Sequence, residues 1–191
     1  KQVAKWIFIL NLPILVIIFL FPGAIINILF DAKYLPAVTS LKILSIGVFF
    51  YSSFSILSEN LLSVVGKSKI IFSNILIASI TNIILDIFLI PKYGLEGAAI
   101  ATTISYVLFG GMNFFQSVRN TSIIPLRRKM LRILLVMTIP IVILFLLRMF
   151  IKITPISMIL LGTLFLLIYF VLILLTKCFD KNDMMILGNI K

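Results

Sequence analysis

Residues 70–90 read IIFSNILIASITNIILDIFLI, a run in which Asp86 is the only charged residue. A transmembrane helix needs about 20 consecutive, mostly apolar residues to cross about 30 Å of hydrocarbon. Over the whole chain of 191 residues, 62% are hydrophobic and only 12% are charged. Soluble domains typically carry about twice that charged fraction. The composition therefore excludes a soluble globular fold and predicts a membrane protein.

Five further apolar segments of similar length lie on either side of this run. In chain order they are Trp6 to Phe30, Ala37 to Val65, Gly97 to Val118, Ile133 to Ile151, and Ile153 or Ile156 to Thr176. Only helices and closed barrels satisfy their backbone groups in lipid, and barrel strands alternate over about ten residues. These segments are apolar without such alternation, so they predict an all-α, polytopic membrane bundle of six transmembrane helices.

The chain divides into four predicted parts. Residues 1–118 form four transmembrane helices, residues 119–132 form a basic cytoplasmic loop, residues 133–176 form an additional helix pair, and residues 177–191 form a cytoplasmic tail. A Gly-Lys-Ser-Lys turn at Gly66 separates the second and third helices. Because the chain begins at Lys1 rather than at a methionine, we expect it to be part of a longer membrane protein.

The distribution of the 17 Lys and Arg residues predicts the orientation of the helices. With a cytoplasmic N-terminus, most of them fall on the inner side, namely Lys1, Lys5, Lys67, Lys69, Arg119, Arg127, Arg128, Lys129, Arg132, Lys177, Lys181 and Lys191. The outer side then has Lys33, Lys42, Lys92, Arg148 and Lys152. Because cytoplasmic loops of membrane proteins carry the excess of Lys and Arg, we expect both termini to lie in the cytoplasm.

The composition also narrows the chemistry that the chain can perform. It contains no His, so a Ser-His-Asp triad or a His metal ligand cannot be built, and its single Cys, Cys178, excludes an internal disulfide. The net charge of +11 does not indicate nucleic-acid binding, because the positive residues are scattered between apolar runs. We expect no enzyme activity, no catalytic residue, no metal site and no cofactor.

Polar side chains within the apolar segments are the candidate site residues. They are Lys42, Glu59, Asn74, Asn82, Asp86 and Arg148. A charge at the centre of a transmembrane helix costs about 2.5–3.5 kcal/mol, so such residues usually have a partner and a function. If the second and third helices form a hairpin at Gly66, equal depths predict a Lys42–Asp86 ion pair and a Glu59–Asn74 hydrogen bond.

Two interpretations of these residues remain open. In one, they only join helices, or Lys42 and Asp86 extend to the membrane interface. In the other, some of them line a polar cavity that changes during a transport cycle. The sequence also predicts close helix packing along the small residues Gly97, Ala101 and Ser105, which recur at a helical spacing. Prolines at positions 13, 22 and 140 predict kinks in the first and fifth helices.

The segment LIPKYGLEGAAIATTISYVL, from Leu89 to Leu108, resembles a signature of the C-terminal half of polysaccharide biosynthesis membrane proteins. These are the oligosaccharide flippases of the multidrug/oligosaccharidyl-lipid/polysaccharide exporter superfamily. Supporting matches are NIILDIFLIPKYG from Asn82, GKSK from Gly66 and LFDAKYLPAVTSLKILSIG from Leu29. The resemblance covers Phe30 to Gln116, and the last two helices look like the extra pair of fourteen-helix members. The family usually has Asn or an apolar residue at the position of Asp86.

The resemblance implies a transporter that moves a lipid-linked oligosaccharide across the plasma membrane by alternating access. This chain would then be roughly the last six of about fourteen helices. The implied partners are the substrate, membrane lipids, the missing N-terminal helix bundle and glycan-assembly membrane enzymes. Lys42 and Arg148 are candidates to contact a diphosphate headgroup, and Lys67 and Lys69 to contact anionic lipid.

Two alternatives to a flippase follow from the same residues. A cation-coupled multidrug extruder of the same superfamily would use Asp86 or Glu59 as its coupling carboxylate. A membrane-embedded glycan polymerase would need larger outer loops than the few residues that separate these helices.

Overall fold

The computed structural model describes residues 2–122, 128–150 and 155–176. Within these ranges the chain is helical, with no strand. The α-helices are α1 (Gln2–Leu20), α2 (Pro22–Leu29), α3 (Val38–Phe50), α4 (Ile56–Val64), α5 (Ser68–Tyr93), α6 (Leu95–Thr121), α7 (Arg128–Phe150) and α8 (Pro155–Leu175). The expected all-α, multi-pass membrane architecture is confirmed, because five helical spans are long and apolar enough to cross a membrane, or six if α1 and α2 count as one.

The predicted first span is broken into two helices. α1 and α2 meet at an angle of 86° around Phe21. Pro22 is the first residue of α2, and a proline there cannot donate the N–H that would continue α1. The kink predicted at Pro22 is therefore confirmed, and it divides the span Trp6 to Phe30 into two helices. Neither Pro13 nor Pro140 ends its helix, since α1 and α7 continue through them.

The second span is one continuous helical segment, Ala32–Val64, with an irregular centre. It opens with a 3₁₀ helix, Ala32–Ala37. At Tyr51–Ser55 its backbone hydrogen bonds follow the i→i+5 pattern of a π-helix instead of the i→i+4 pattern of an α-helix, and we call this segment the π turn. Such single π turns within α-helices occur frequently at functional sites. The π turn displaces the residues after it around the helix axis, so that Ser55 faces α6.

α6 is the central helix of the bundle. It packs against α5 on one side and against α3, the π turn and α4 on the other. α5 contacts α4 but packs mainly on α6, and α3 packs on α6 rather than on α5. The predicted hairpin between the second and third spans is therefore wrong over most of its length, because a later helix lies between them.

Small residues explain why α6 lies so close to both of its neighbours. Gly97, Ala101 and Ser105 are all buried, which confirms the packing predicted from their spacing. A side chain at Gly97 would collide with the backbone carbonyl of Leu89 in α5. On the opposite side, a Cβ built at Gly47 would lie 2.8 Å from the Cα of Thr103. Backbones approach this closely in membranes because helix association there depends on van der Waals contact.

The last two helices pack on α1 rather than on α6. Their shared core consists of Phe8, Ile9 and Leu12 from α1, Phe21 between α1 and α2, and Ile133, Met137, Leu144, Leu161, Phe165, Tyr169 and Ile173 from α7 and α8. The Tyr169 hydroxyl donates a hydrogen bond of 2.9 Å to the Ile9 carbonyl oxygen. The expected additional helix pair is thus attached through α1.

The helix ends differ from the predicted boundaries. α6 extends to Thr121 and α7 begins at Arg128, so part of the predicted loop 119–132 is helical. The predicted tail 177–191 lies outside the described residues. Large apolar side chains on α5, α7 and α8, such as Phe72, Phe145 and Leu167, are more than half exposed, as expected where a helix faces lipid.

Candidate functional site

Buried polar side chains from three helices form a connected group that we call the asparagine cluster. Its members are Ser55, Glu59, Asn74, Asn113 and Gln116. Asn74 of α5 donates to the Asn113 side-chain oxygen of α6 at 2.7 Å, and also to the side-chain oxygen of Gln116. Asn113 donates to the Ser55 hydroxyl at 3.1 Å. Asn74 and Asn113 are almost completely buried, so the bonds lie away from lipid.

Glu59 occupies the end of this cluster. Its carboxylate accepts a hydrogen bond of 2.7 Å from the Ser55 hydroxyl. The predicted direct bond between Glu59 and Asn74 is therefore wrong, although both residues belong to one cluster and lie at related depths. The hydrogen-bond chain that connects them runs through Ser55 and through Asn113 of α6.

A polar cavity lies beside the asparagine cluster, between the π turn, α4, α5 and α6. We call it the tyrosine cavity. It has a volume of about 370 Å³ and is lined by Tyr51, Glu59, Ile75, Ala78, Ser79, Asn82, Thr102, Ser105, Tyr106 and Phe109. Small-molecule sites typically have volumes of about 300–1,000 Å³ and a few convergent polar groups. The cavity meets both criteria within an otherwise apolar bundle.

Aromatic rings form one wall of the tyrosine cavity. The rings of Tyr51 and Tyr106 stack with their centroids 5.1 Å apart and their planes 26° from parallel. The Phe109 ring stacks on Tyr51 at 6.1 Å. The π turn places Tyr51 opposite α6, so this wall depends on the irregularity of the second span.

Asn82 and Asp86 lie one helical turn apart on α5 and each has an unsatisfied polar atom. The Nδ2 of Asn82 and the Oδ1 of Asp86 are buried without a hydrogen-bond partner in the described part of the chain. A buried polar atom without a partner costs about 1–3 kcal/mol, so such atoms in native proteins require an explanation. Asn82 lines the tyrosine cavity, whereas Asp86 does not.

Lys42 does not pair with Asp86. No ion pair joins them, since α3 and α5 lie on opposite sides of α6. Instead, the Lys42 ammonium lies 5.7 Å from the centre of the Phe19 ring of α1. This contact is a cation–π interaction, which is favourable for a lysine near the end of a transmembrane helix.

Arg148 has a structural partner at the break in the first span. Its guanidinium donates a hydrogen bond of 2.8 Å to the carbonyl oxygen of Leu20 and lies 5.9 Å from the Phe21 ring. The break at Pro22 ends the regular bonding of α1, and free backbone carbonyls in a membrane need a replacement partner. Arg148 supplies that partner from α7.

The structure thus unites three of the six candidate residues, Glu59, Asn74 and Asn82, around one cavity and its adjoining cluster. Sequence reasoning missed Ser55, Tyr51, Tyr106, Asn113 and Gln116. A usable signal existed for Asn113, because Asn74 and Asn113 lie at nearly equal distances along the chain on either side of the Gly94 turn. No signal in the sequence indicates the π turn that turns Ser55 and Tyr51 towards α6.

Together, these observations define a multi-pass membrane protein whose helices surround a polar cavity. No protein-family model matches the sequence. The uncharacterized membrane protein MJ1068 of Methanocaldococcus jannaschii is 37% identical over 108 residues, covering 56% of this chain and 21% of that protein. A putative O-antigen transporter of Shigella flexneri is 31% identical over 102 residues, covering 53% of this chain and 24% of the relative.

A solved structure shares the fold. The lipid II flippase MurJ, in an inward closed conformation, matches 93% of this chain with a TM-score of 0.77 and 21% identity. The match covers 38% of the MurJ chain, and this chain spans about a quarter or less of the two curated relatives. These matches confirm the resemblance to flippase-type membrane proteins, and none of the three relatives is named as an enzyme.

Proposed function

We propose that this chain is part of a transporter that moves a lipid-linked oligosaccharide across the plasma membrane. The observation that carries the proposal is the tyrosine cavity, a partly open site with several polar lining groups in an otherwise apolar bundle. The names of the O-antigen transporter and of the lipid II flippase support this class of substrate. Alternating access requires no covalent chemistry, because a substrate can shift the populations of the inward and outward states through its different affinities for them.

The proposal assigns different roles to the two polar groups around α6. The tyrosine cavity contacts the substrate, with Glu59 and Asn82 as its polar contacts. The asparagine cluster joins α4, α5 and α6, so that these helices move as one unit when access alternates. The helices of the longer protein complete the path on the side of the cavity that this chain leaves open.

The experiment uses the full-length protein reconstituted in liposomes with a fluorescent lipid-linked oligosaccharide. Transport is measured as the fraction of substrate that reaches the outer leaflet and is quenched there. Glu59→Gln removes the charge at the cavity and should slow transport about tenfold, the equivalent of ~1.4 kcal/mol. Ile77→Ala, on an exposed side of α5, is the control and should leave transport unchanged. Equal rates for both variants would contradict a role for the cavity.

The orientation and the partners of the chain belong to the same proposal. With both termini in the cytoplasm, the Gly66 turn lies inside and the Gly94 turn lies outside. Cysteines introduced at these two turns should therefore react differently with a membrane-impermeant reagent added to intact cells. Labelling at Gly94→Cys and not at Gly66→Cys is expected, and the reverse pattern would overturn the orientation.

A second candidate is cation-coupled extrusion of small molecules, and one observation favours it. The buried Oδ1 of Asp86 has no partner in the described residues, as expected for a carboxylate that binds a proton or a metal cation during a cycle. Efflux of a cationic dye that stops when the sodium and proton gradients are collapsed would support this function. Gradient-dependent flipping of the oligosaccharide lipid without dye efflux would exclude it.

A further inference from the structure

We propose that Glu59 is a proton-binding site whose charge state controls how tightly the π turn and α4 are held against α6. Binding of a proton at this site does not depend on which substrate the protein transports. Three features of the molecule point to the site. They are the direction of the hydrogen bonds in the asparagine cluster, the burial of its members and the position of Ser55 at the end of the π turn.

A series of three hydrogen bonds in the asparagine cluster donates towards Glu59. The Asn74 amide donates to the Asn113 side-chain oxygen at 2.7 Å, and the Asn113 amide donates to the Ser55 hydroxyl at 3.1 Å. The Ser55 hydroxyl in turn donates to Oε1 of Glu59 at 2.7 Å. An ionised carboxylate only accepts hydrogen bonds, so it fixes the direction of every bond that precedes it in this series.

The charge of Glu59 also sets the strength of these bonds. A hydrogen bond to an ionised group is roughly twice as strong as one between neutral groups. Because hydrogen bonds in series polarise one another, a Ser55 hydroxyl that donates to an anion is a better acceptor for Asn113. A proton on Glu59 removes this support and adds an O–H donor that competes for the Ser55 oxygen. Protonation therefore weakens the bond that joins the second span to α6.

Glu59 is the end of the series that a proton reaches. Ser55 and Asn113 are completely buried, whereas Glu59 is partly exposed and lines the tyrosine cavity. The other titratable side chains among the described residues that line this cavity are Tyr51 of the π turn and Tyr106 of α6. α5 contributes none, and no Lys or Arg in the described ranges lines the cavity. Proton uptake from the cavity is therefore the way in which this carboxylate loses its charge.

The π turn is held by side-chain bonds on two sides. Asn11 of α1 donates to the Ser52 hydroxyl at 2.9 Å, and Asn113 of α6 donates to Ser55 at the other end of the turn. Ser55 also packs closely on α6, since a Cβ built at Gly110 would lie 3.7 Å from the Ser55 Cβ. A proton at the cavity end of the series weakens the second anchor and leaves the first in place. The second span then has two arrangements, with α4 packed on α6 or displaced from it.

The test measures the distance between α4 and α6 in the full-length protein in nanodiscs, with its other cysteines replaced by serine. Spin labels are attached at Asn60→Cys on α4 and Phe115→Cys on α6, both at exposed positions. A change from mildly alkaline to mildly acidic pH should raise the population at the longer distance about twofold or more. In Glu59→Gln the distances should no longer respond to pH. A second pair of labels, at Ile77→Cys on α5 and Phe115→Cys, is the control and should keep one distance throughout.

Further variants separate the proton site from its neighbours. Ser55→Ala keeps Glu59 but removes the hydroxyl that links it to α6, so it should also abolish the pH response. Asp86→Asn, Tyr51→Phe and Tyr106→Phe should retain that response, and an unchanged distance between α5 and α6 verifies that each variant is folded.

A distance between α4 and α6 that stays constant on acidification, or a pH response that persists in Glu59→Gln, would overturn the inference. Loss of the response in Asp86→Asn instead would assign the proton to Asp86 and would overturn it too. The distances are measured without substrate, so they test the proton site independently of the proposed function.

Discussion

The bond between Asn74 and Asn113 gives a quantitative test of how α5 and α6 are joined. Asn113 is completely buried and takes part in two side-chain hydrogen bonds, one with Asn74 and one with Ser55. Hydrogen bonds between transmembrane helices contribute about 0.6 kcal/mol on average and about 1.7 kcal/mol at most. Replacing Asn113 by Leu, which has a similar size, should therefore lower the free energy of unfolding by about 1–3 kcal/mol.

The decisive quantity is the coupling between the two residues. Asn74→Leu, Asn113→Leu and the double variant are unfolded in detergent by titration with sodium dodecyl sulfate. The double variant should lose about 0.6–1.7 kcal/mol less than the sum of the single losses, because each single change leaves one partner without its bond. Asn120→Leu, at an exposed position of α6, is the control and should change stability by no more than about 0.5 kcal/mol. Additivity within about 0.5 kcal/mol would refute the bond.

Three further predictions concern packing and charge. Gly97→Ala forces a methyl group into the α5 backbone and should cost about 1–3 kcal/mol of unfolding free energy, whereas Gly111→Ala, where the space is open, should be neutral or stabilising. Arg148→Gln removes the charged donor from the end of α1 and should lower stability in detergent by about 1.5–3 kcal/mol; unchanged stability would contradict that role. Lys42→Met and Asp86→Asn should have additive effects on stability, and a coupling above about 0.5 kcal/mol would restore the ion pair.

The helical type of the chain and most of its membrane-length spans could be predicted from the sequence because the bilayer imposes a simple length rule, whereas the division of the first span into two helices changed their number. A helical span needs about 20 apolar residues, and each of the six runs meets that length. The break at Pro22 was also predictable, since proline lacks the donor that would continue α1. The recurring small residues Gly97, Ala101 and Ser105 correctly indicated close helix packing. They did not reveal which helix packs against them.

Helix adjacency could not be predicted in the same way. Neighbours in sequence were assumed to be neighbours in space, and this assumption paired Lys42 with Asp86 across helices that α6 separates. Equal depth in the membrane predicted which polar residues share a site better than adjacency of the helices did, because Glu59 and Asn74 belong to one cluster. The π turn at Tyr51–Ser55 depends on tertiary contacts with α6, and no local residue preference indicates it.

Access of water and substrate to the tyrosine cavity tests the central claim most directly. In the full-length protein with its other cysteines replaced by serine, Ser79→Cys faces the cavity and Ile77→Cys faces away from it on the same helix. A membrane-impermeant thiol reagent that is supplied on both sides of the membrane should label Ser79→Cys and leave Ile77→Cys unlabelled. An oligosaccharide-bearing lipid should slow the labelling of Ser79→Cys. If both cysteines are inert, or if the lipid does not protect Ser79→Cys, the cavity is not the path of the substrate.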